Sequence, residues 1–149
     1  MGKKAKESLF KFARATKLFS LSRRITARKL RILCYHGIWL GPEHWGDFLF
    51  MSRERFTRRI EMIQSLGFNV ISLADAVSAL DTDALPENSL VITIDDGWYG
   101  SYLHMFPALK EAEMPFTVYA YTQPMLQHTP VLDVLVQYLV KTSNAVTLD

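Results

Sequence analysis

The stretch VITIDDGW, residues 91–98, decides the fold. With Leu90 it makes an apolar, β-branched run, suited to a buried strand, that goes straight into two adjacent carboxylates, Asp95 and Asp96, and a glycine. Like charges on neighbouring residues repel, so solvent, a cation or separate tasks must keep both tolerable. In parallel α/β folds ligands sit outside the carboxyl ends of the strands, which places acids at a strand's end for chemistry. One carboxylate can bind a divalent cation whose charge keeps the other ionised as a base toward a metal-bound water. Gly97 suits a tight turn beside such a site. On these residues alone a plainer reading also stands: Asp-Gly is ordinary turn chemistry, and aspartate often caps the helix after a strand.

Outward from this strand, the chain alternates. Upstream, RILCYHGI (31–38) reads as a first strand ending at His36 and Gly37, followed by a Gly-, Pro- and Trp-rich loop to Phe50. Ser52 caps a helix whose apolar stripe is Phe56, Ile60, Ile63 and Leu66, ended by Gly67. FNVIS (68–72) is a short strand, and Ser72 with Asp75 forms a capping-box variant opening a second helix. Downstream, SYLHMFPALKEAE (101–113) reads as a helix bent or restarted at Pro107, FTVYAYT (116–122) as a fourth strand, and Val131, Val134, Leu135 and Tyr138 as one face of a last helix. Strand, helix, four times over, with short connections predicts parallel strands and an α/β protein. Four strands are too few for a closed eight-stranded barrel.

At 149 residues and 49% hydrophobic, the chain suits one domain with a real core. Its greasiest late stretch, VLDVLVQYLV (131–140), is short for a membrane span and contains Asp133 and Gln137. Cys34 is the only cysteine, so no internal disulfide forms; it reads as a buried structural thiol in a reducing cytoplasm. Charge is split: residues 1–31 hold eleven Lys and Arg against Glu7, net +10, and residues 32–149 hold six against fourteen acids, net −8. Leu9, Phe10, Phe12, Ala13, Ala15, Leu18 and Phe19 recur at helical spacing among the basic residues, which predicts a basic amphipathic helix in residues 1–30, ahead of a domain at 31–149. Such a helix can pack along the domain, lie on anionic lipid or touch nucleic acid; packing is the plainest of these, and no nucleic acid is expected. No apolar core and cleavage site of a secretory signal follow the charges, so the expected location is cytoplasmic, with peripheral contact at the inner membrane face through residues 1–30.

Competing chemistries fit less well. A P-loop needs a Gly-rich Lys-Ser/Thr segment that is absent, an aspartyl phosphotransferase usually spaces its acids by one residue, and YHGIWLGPEHWG (35–46) has the wrong glycine spacing for a dinucleotide site. None of His36, His44, His104 and His128 pairs with another at i+3 or i+4. His44 and His128 read as loop residues and His104 as a surface or packing position, whereas His36 ends its strand in the same layer as Asp95.

Taken in order, LCYHGI, the F..RI..I..LGF helix, VITIDDGW, Y...FPALKE and MPFTVYAYT resemble the polysaccharide deacetylase (NodB-homology) family over roughly Arg31 to Tyr138. Ile94 stands where that family usually has phenylalanine. The resemblance implies an incomplete (β/α) barrel with about four parallel strands after a basic helix, and removal of N-acetyl groups from an amino-sugar polymer or glycan precursor. It implies Asp95 as the catalytic base, Asp96 as a ligand to a divalent metal, typically zinc, and His36, Gly97 and Trp98 as pocket-lining residues. The family's His-Ser/Thr-x-x-His ligand motif and its acid histidine have no counterpart here, which implies an N-terminal portion that is inactive or nearly so alone. Two alternatives remain at this stage: a non-catalytic half-domain that self-associates through its open sheet edge or binds a partner, and an Asp-dependent phosphohydrolase.

Overall fold

The computed structural model describes residues 2–16, 18–41 and 48–143. After helices α1 (Lys3–Ala15) and α2 (Leu18–Ile25), the chain runs β1 (Arg31–Tyr35), β2 (Gly37–Ile38), β3 (Phe50–Met51), α3 (Arg53–Ser65), β4 (Asn69–Val70), α4 (Leu73–Asp81) and β5 (Ser89–Asp96). A turn of π-helix (Ser101–Met105) leads into α5 (Phe106–Glu111), then β6 (Thr117–Ala120), α6 (Thr122–Gln127) and α7 (Leu132–Thr142). Every strand pairing is parallel. The expected α/β alternation is therefore present, and the four-stranded sheet stays open among the described residues.

Strand β5 is the centre of that sheet. β1 lies along one edge, from Arg31 beside Leu90 to Tyr35 beside Ile94, while the other edge takes β4 at Ser89–Leu90 and β6 at Thr93–Asp96. Six consecutive residues from Ser89 to Ile94 are buried, as the unbroken apolar run predicts for a central strand flanked on both edges. Leu90, Ile92 and Ile94, with Leu33 and Tyr35 of β1, point one way into the core, against Phe56, Ile60 and Ile63 of α3 and Met105 and Leu109 before β6. Tyr35 meets Phe56 edge-on at 5.2 Å; among the described residues its buried hydroxyl has no hydrogen-bond partner of good geometry, and the Arg59 guanidinium lies over its ring at 5.8 Å.

Local chemistry sets the helix ends. The Ser52 hydroxyl accepts the Arg55 N–H at 3.3 Å, and Gly67, at φ +61, lets its N–H and that of Phe68 turn back to the carbonyls of Gln64 and Ile63. Ser72 accepts the Asp75 N–H at 3.0 Å and donates its hydroxyl to Asp75 Oδ2 at 2.6 Å, the expected capping pair. Pro107 has no N–H to return to the preceding turn, and the chain widens there: the Phe106 N–H bonds the Ser101 carbonyl in a π-turn before α5 restarts.

Several expectations need correction. The basic segment is two helices rather than one. Thr16 donates its hydroxyl to the Phe12 carbonyl at the end of α1, and α2 folds back so that Phe10 and Phe19 stack at 6.2 Å. Its apolar residues are not packed on the domain: Leu9, Phe10, Phe12, Leu18, Phe19 and Ile25 are all exposed. What anchors the segment is polar. Arg23 donates to Asn88 Oδ1 at 3.2 Å and, with Arg31, lies over the Phe68 ring, while Asn88 N–H bonds the Ala27 carbonyl at 2.7 Å. Leu66 drops out of the α3 stripe and is exposed, since Leu66 is already the cap where the helix turns away. Cys34 is not buried, because it points to the sheet face opposite the core. The β2–β3 pairing and α6 were not foreseen, and His44 lies outside the described residues. No helix among the described residues is long and apolar enough to cross a membrane.

Candidate active site

The two aspartates do not share one environment, because the backbone reverses between them. Asp95 still follows the strand's alternation and emerges on the same face as Thr93, beside Cys34 of the neighbouring strand β1 and His36 just after it. Asp96 has φ +67 and sits in the middle of a three-residue turn closed by the Gly97 N–H on the Asp95 carbonyl at 2.9 Å. A positive φ at a γ-turn centre is strained for a residue with a side chain, by about 1–3 kcal/mol, although aspartate is among the residues that tolerate it best. Gly97 follows at φ +71, a conformation glycine adopts freely. This reversal turns Asp96 away from its neighbour, and its Oδ2 accepts the Trp98 indole N–H at 3.0 Å. Like charges on consecutive residues are thereby separated by direction rather than by distance along the chain.

Asp95 faces a different set of groups. Its Oδ2 accepts the Cys34 thiol at 3.2 Å and lies 3.9 Å from His36 Nε2, with His36 and Asp95 both about one-third exposed. Although Cys34 is exposed, the desolvation of its thiol by the groups around it raises its pKa, and the hydrogen bond to Asp95, which favours the protonated form, raises it further; a hydrogen bond with Thr93 opposes them. The His36 backbone is held from behind: its carbonyl accepts the buried Ser101 hydroxyl at 2.8 Å, and Gly100 packs directly on Ile38. Among the described residues, Cys34, His36 and Asp95 form a group whose ligand atoms all lie within 4.8 Å of one another; Asp96 is outside it.

A cavity of about 490 Å³ opens on this face, lined by Ile32, Cys34, Thr93, Asp95, Asp96, Tyr119 and Tyr121 among others. Both acids reach it. The remaining pocket candidates fall elsewhere: Gly97 and Trp98 line an apolar cavity of about 280 Å³ with Phe106 and Phe116, and Trp98 joins Asp96 in a third, of about 260 Å³, against α7. His104 is half-buried in the π-turn, and His128 caps α6 in the left-handed conformation. Sequence reasoning missed Cys34 as a neighbour of the acids, and Tyr119 and Tyr121 as walls. The signal was present for Cys34, since residues 34 and 36 share a face at strand period two.

No protein-family model matches the chain. In sequence it is 29% identical over 92 residues to "Putative polysaccharide deacetylase YxkH" of Bacillus subtilis, a match covering 61% of this chain and 31% of that protein. In structure it is similar to a de-N-acetylase from Aggregatibacter actinomycetemcomitans (TM-score 0.55, 22% identity, 62% of this chain and 37% of that one). IcaB from Ammonifex degensii gives a TM-score of 0.54 at 24% identity, over 64% of this chain and 39% of that one. The deacetylase PplD of Streptococcus pyogenes, solved with acetate, gives 0.59 at 22%, over 72% and 50%. The chain thus spans about a third of the curated relative and at most half of these structures. The chain is thus similar in sequence, over 92 residues, to a polysaccharide deacetylase, and it shares the fold of solved deacetylases.

Proposed function

We propose that residues 31–149 are part of a hydrolase that removes N-acetyl groups from an amino-sugar polymer or glycan precursor. The observation that supports it best is the pair of divergent acids, Asp95 and Asp96, at the carboxyl end of the central parallel strand, both reaching one cavity. In this reading Asp95 takes a proton from the attacking water. A C–O bond forms at the acetamide carbonyl, the C–N bond breaks, the proton passes to the amine nitrogen, and acetate leaves. A zinc-type cation, when bound, polarises that carbonyl, and Asp96 is the ligand this reading assigns to it. The described residues around Asp96 do not complete such a site: one oxygen is taken by Trp98, and the convergent donors lie with Asp95. This reading takes the further ligands from outside the described residues, and because the chain has no His-Ser/Thr-x-x-His segment, it expects acetate release by this chain alone at background.

The test is acetate release from N-acetylglucosamine oligomers with added zinc. In a protein carrying the missing ligands, Asp95→Asn should lower kcat by about 10²–10⁴-fold while zinc binding at Asp96 persists. Full activity in that variant would remove Asp95 from the role of base.

The basic segment supports a location. Residues 1–30 carry exposed Phe10, Phe12, Phe19 and Ile25 within the strongly cationic stretch, and they attach near Gly67 and Asn88, at the end of the sheet away from the acids. Contact with anionic lipid at the cytoplasmic membrane face would leave the cavity free. Vesicles containing phosphatidylserine should co-sediment the chain at low salt and release it near 1 M, where the screening length falls to about 3 Å. Equal binding to neutral vesicles would rule out this electrostatic contact. Among the described residues the sheet edges at β1 and β6 are unpaired, with Ile32 and Tyr119 exposed on them, which favours self-association through an open sheet edge as a second reading; a monomer at all concentrations in sedimentation equilibrium would exclude it.

A further inference from the structure

We propose that Cys34, His36 and Asp95 together bind a zinc-type divalent cation, at a position separate from Asp96. The geometry comes from the sheet. β1 and β5 are parallel, with Cys34 beside Thr93 and Tyr35 beside Ile94, so the next step places His36 beside Asp95. Period-two alternation then points Cys34, His36 and Asp95 to one face, at the carboxyl ends of both strands.

The distances suit a small tetrahedral ion. Zinc bonds of about 2.3 Å to sulfur and about 2.0 Å to nitrogen and oxygen, at tetrahedral angles, put ligand atoms roughly 3.3–3.6 Å apart. Here Sγ to Oδ2 is 3.2 Å and Nε2 to Oδ2 is 3.9 Å, and one ligand atom from each of the three residues lies within 4.8 Å of the others. Side-chain rotation alone closes the remainder. The donors are also held in place: Asp95 is paired with Tyr119 of β6, and the His36 carbonyl is tied to Ser101.

Donor chemistry selects the ion. A thiolate, an imidazole and a carboxylate favour zinc or cobalt over magnesium or calcium, which prefer oxygen. Binding replaces the thiol proton, which leaves to solvent as the sulfur–metal bond forms. Three protein ligands leave a fourth position open toward the cavity that Cys34 and Asp95 line. This site goes beyond the deacetylase reading and competes with it. A cation held here uses the Asp95 oxygen that would otherwise accept the proton of water, so filling the site would inhibit the base.

The test is cobalt(II) titration of the reduced full chain, followed by the near-ultraviolet thiolate-to-cobalt charge-transfer band. One equivalent should develop the band and zinc should bleach it. Cys34→Ser, an isosteric change at an exposed position, should abolish it with the circular dichroism spectrum unchanged. His36→Ala and Asp95→Asn should each weaken cobalt affinity by about tenfold or more, and Asp96→Asn should leave it within about twofold. No band with the wild-type chain, or a band indifferent to both His36→Ala and Asp95→Asn, overturns the site. Because the band reports a metal–sulfur bond and not acetate release, its absence leaves the role of Asp95 as base intact, and a failed deacetylation assay leaves the band unaffected.

Discussion

Gly100→Ala sets two physical effects against each other, with opposite signs. Gly100 has helical dihedrals, φ −61 and ψ −29, so alanine is conformationally acceptable there. Restriction of the unfolded chain alone would stabilise the protein by about 0.4–1 kcal/mol. Against this, a Cβ on Gly100 falls onto the Ile38 carbonyl oxygen and lies 3.0 Å from its carbonyl carbon. Both are backbone atoms, so no rotamer change relieves the clash, and such overpacking costs about 1–3 kcal/mol. If the π-turn moves off β2, the Ser101 hydrogen bond to the His36 carbonyl goes with it, for about 0.5–1.5 kcal/mol more. The net expectation is a loss of about 0.5–4 kcal/mol, which at a urea m-value of about 1–3 kcal/mol/M lowers the midpoint by on the order of 1 M. Gly41→Ala, where none of the described residues lies within 4 Å of the added carbon, is the control and should stay within about 0.5 kcal/mol. Ser101→Ala deletes only the hydrogen bond and should fall between the two. A Gly100→Ala protein as stable as wild type would refute the contact, and with it the claim that the π-turn holds His36 in place beside Asp95.

Three further outcomes follow from the same structure. Phe56→Ala should cost about 3–5 kcal/mol by denaturant unfolding because Phe56 is fully buried, whereas exposed Leu66→Ala should cost less than about 1 kcal/mol despite its matching spacing in sequence. Asp96→Ala should be less stable than Asp96→Asn by about 1–2 kcal/mol, since asparagine tolerates positive φ and keeps an acceptor for Trp98; equal stabilities would argue against the turn strain. Alkylation of Cys34 by iodoacetamide requires the thiolate, so its pH–rate profile should rise at a pH above that of an ordinary thiol and move down in Asp95→Asn, which loses the charge that favours the protonated form. A profile unchanged by that substitution would contradict the thiol–carboxylate contact.

Sequence alone determined whatever depends on near neighbours. The buried run from Leu90 to Ile94, the caps at Ser52 and Ser72, the break at Gly67 and the restart at Pro107 each follow from the chemistry of a few adjacent residues, and each is found in the fold. The alternation of strands and helices, and the placing of both acids at a strand's end, were legible for the same reason. Tertiary structure decided which groups meet. Alternation along an ideal strand cannot reveal that Asp96 takes a positive φ and turns toward Trp98, because that reversal depends on how β5 is paired with β6 and how the following turn packs. Nor does composition tell whether the one cysteine is buried: Cys34 belongs to a strand whose core face is covered by α3 and whose other face is open, so a single register choice between β1 and β5 puts its thiol against Asp95 rather than in the core. Local chemistry is written in consecutive residues, but register and coverage of a sheet face depend on segments tens of residues apart.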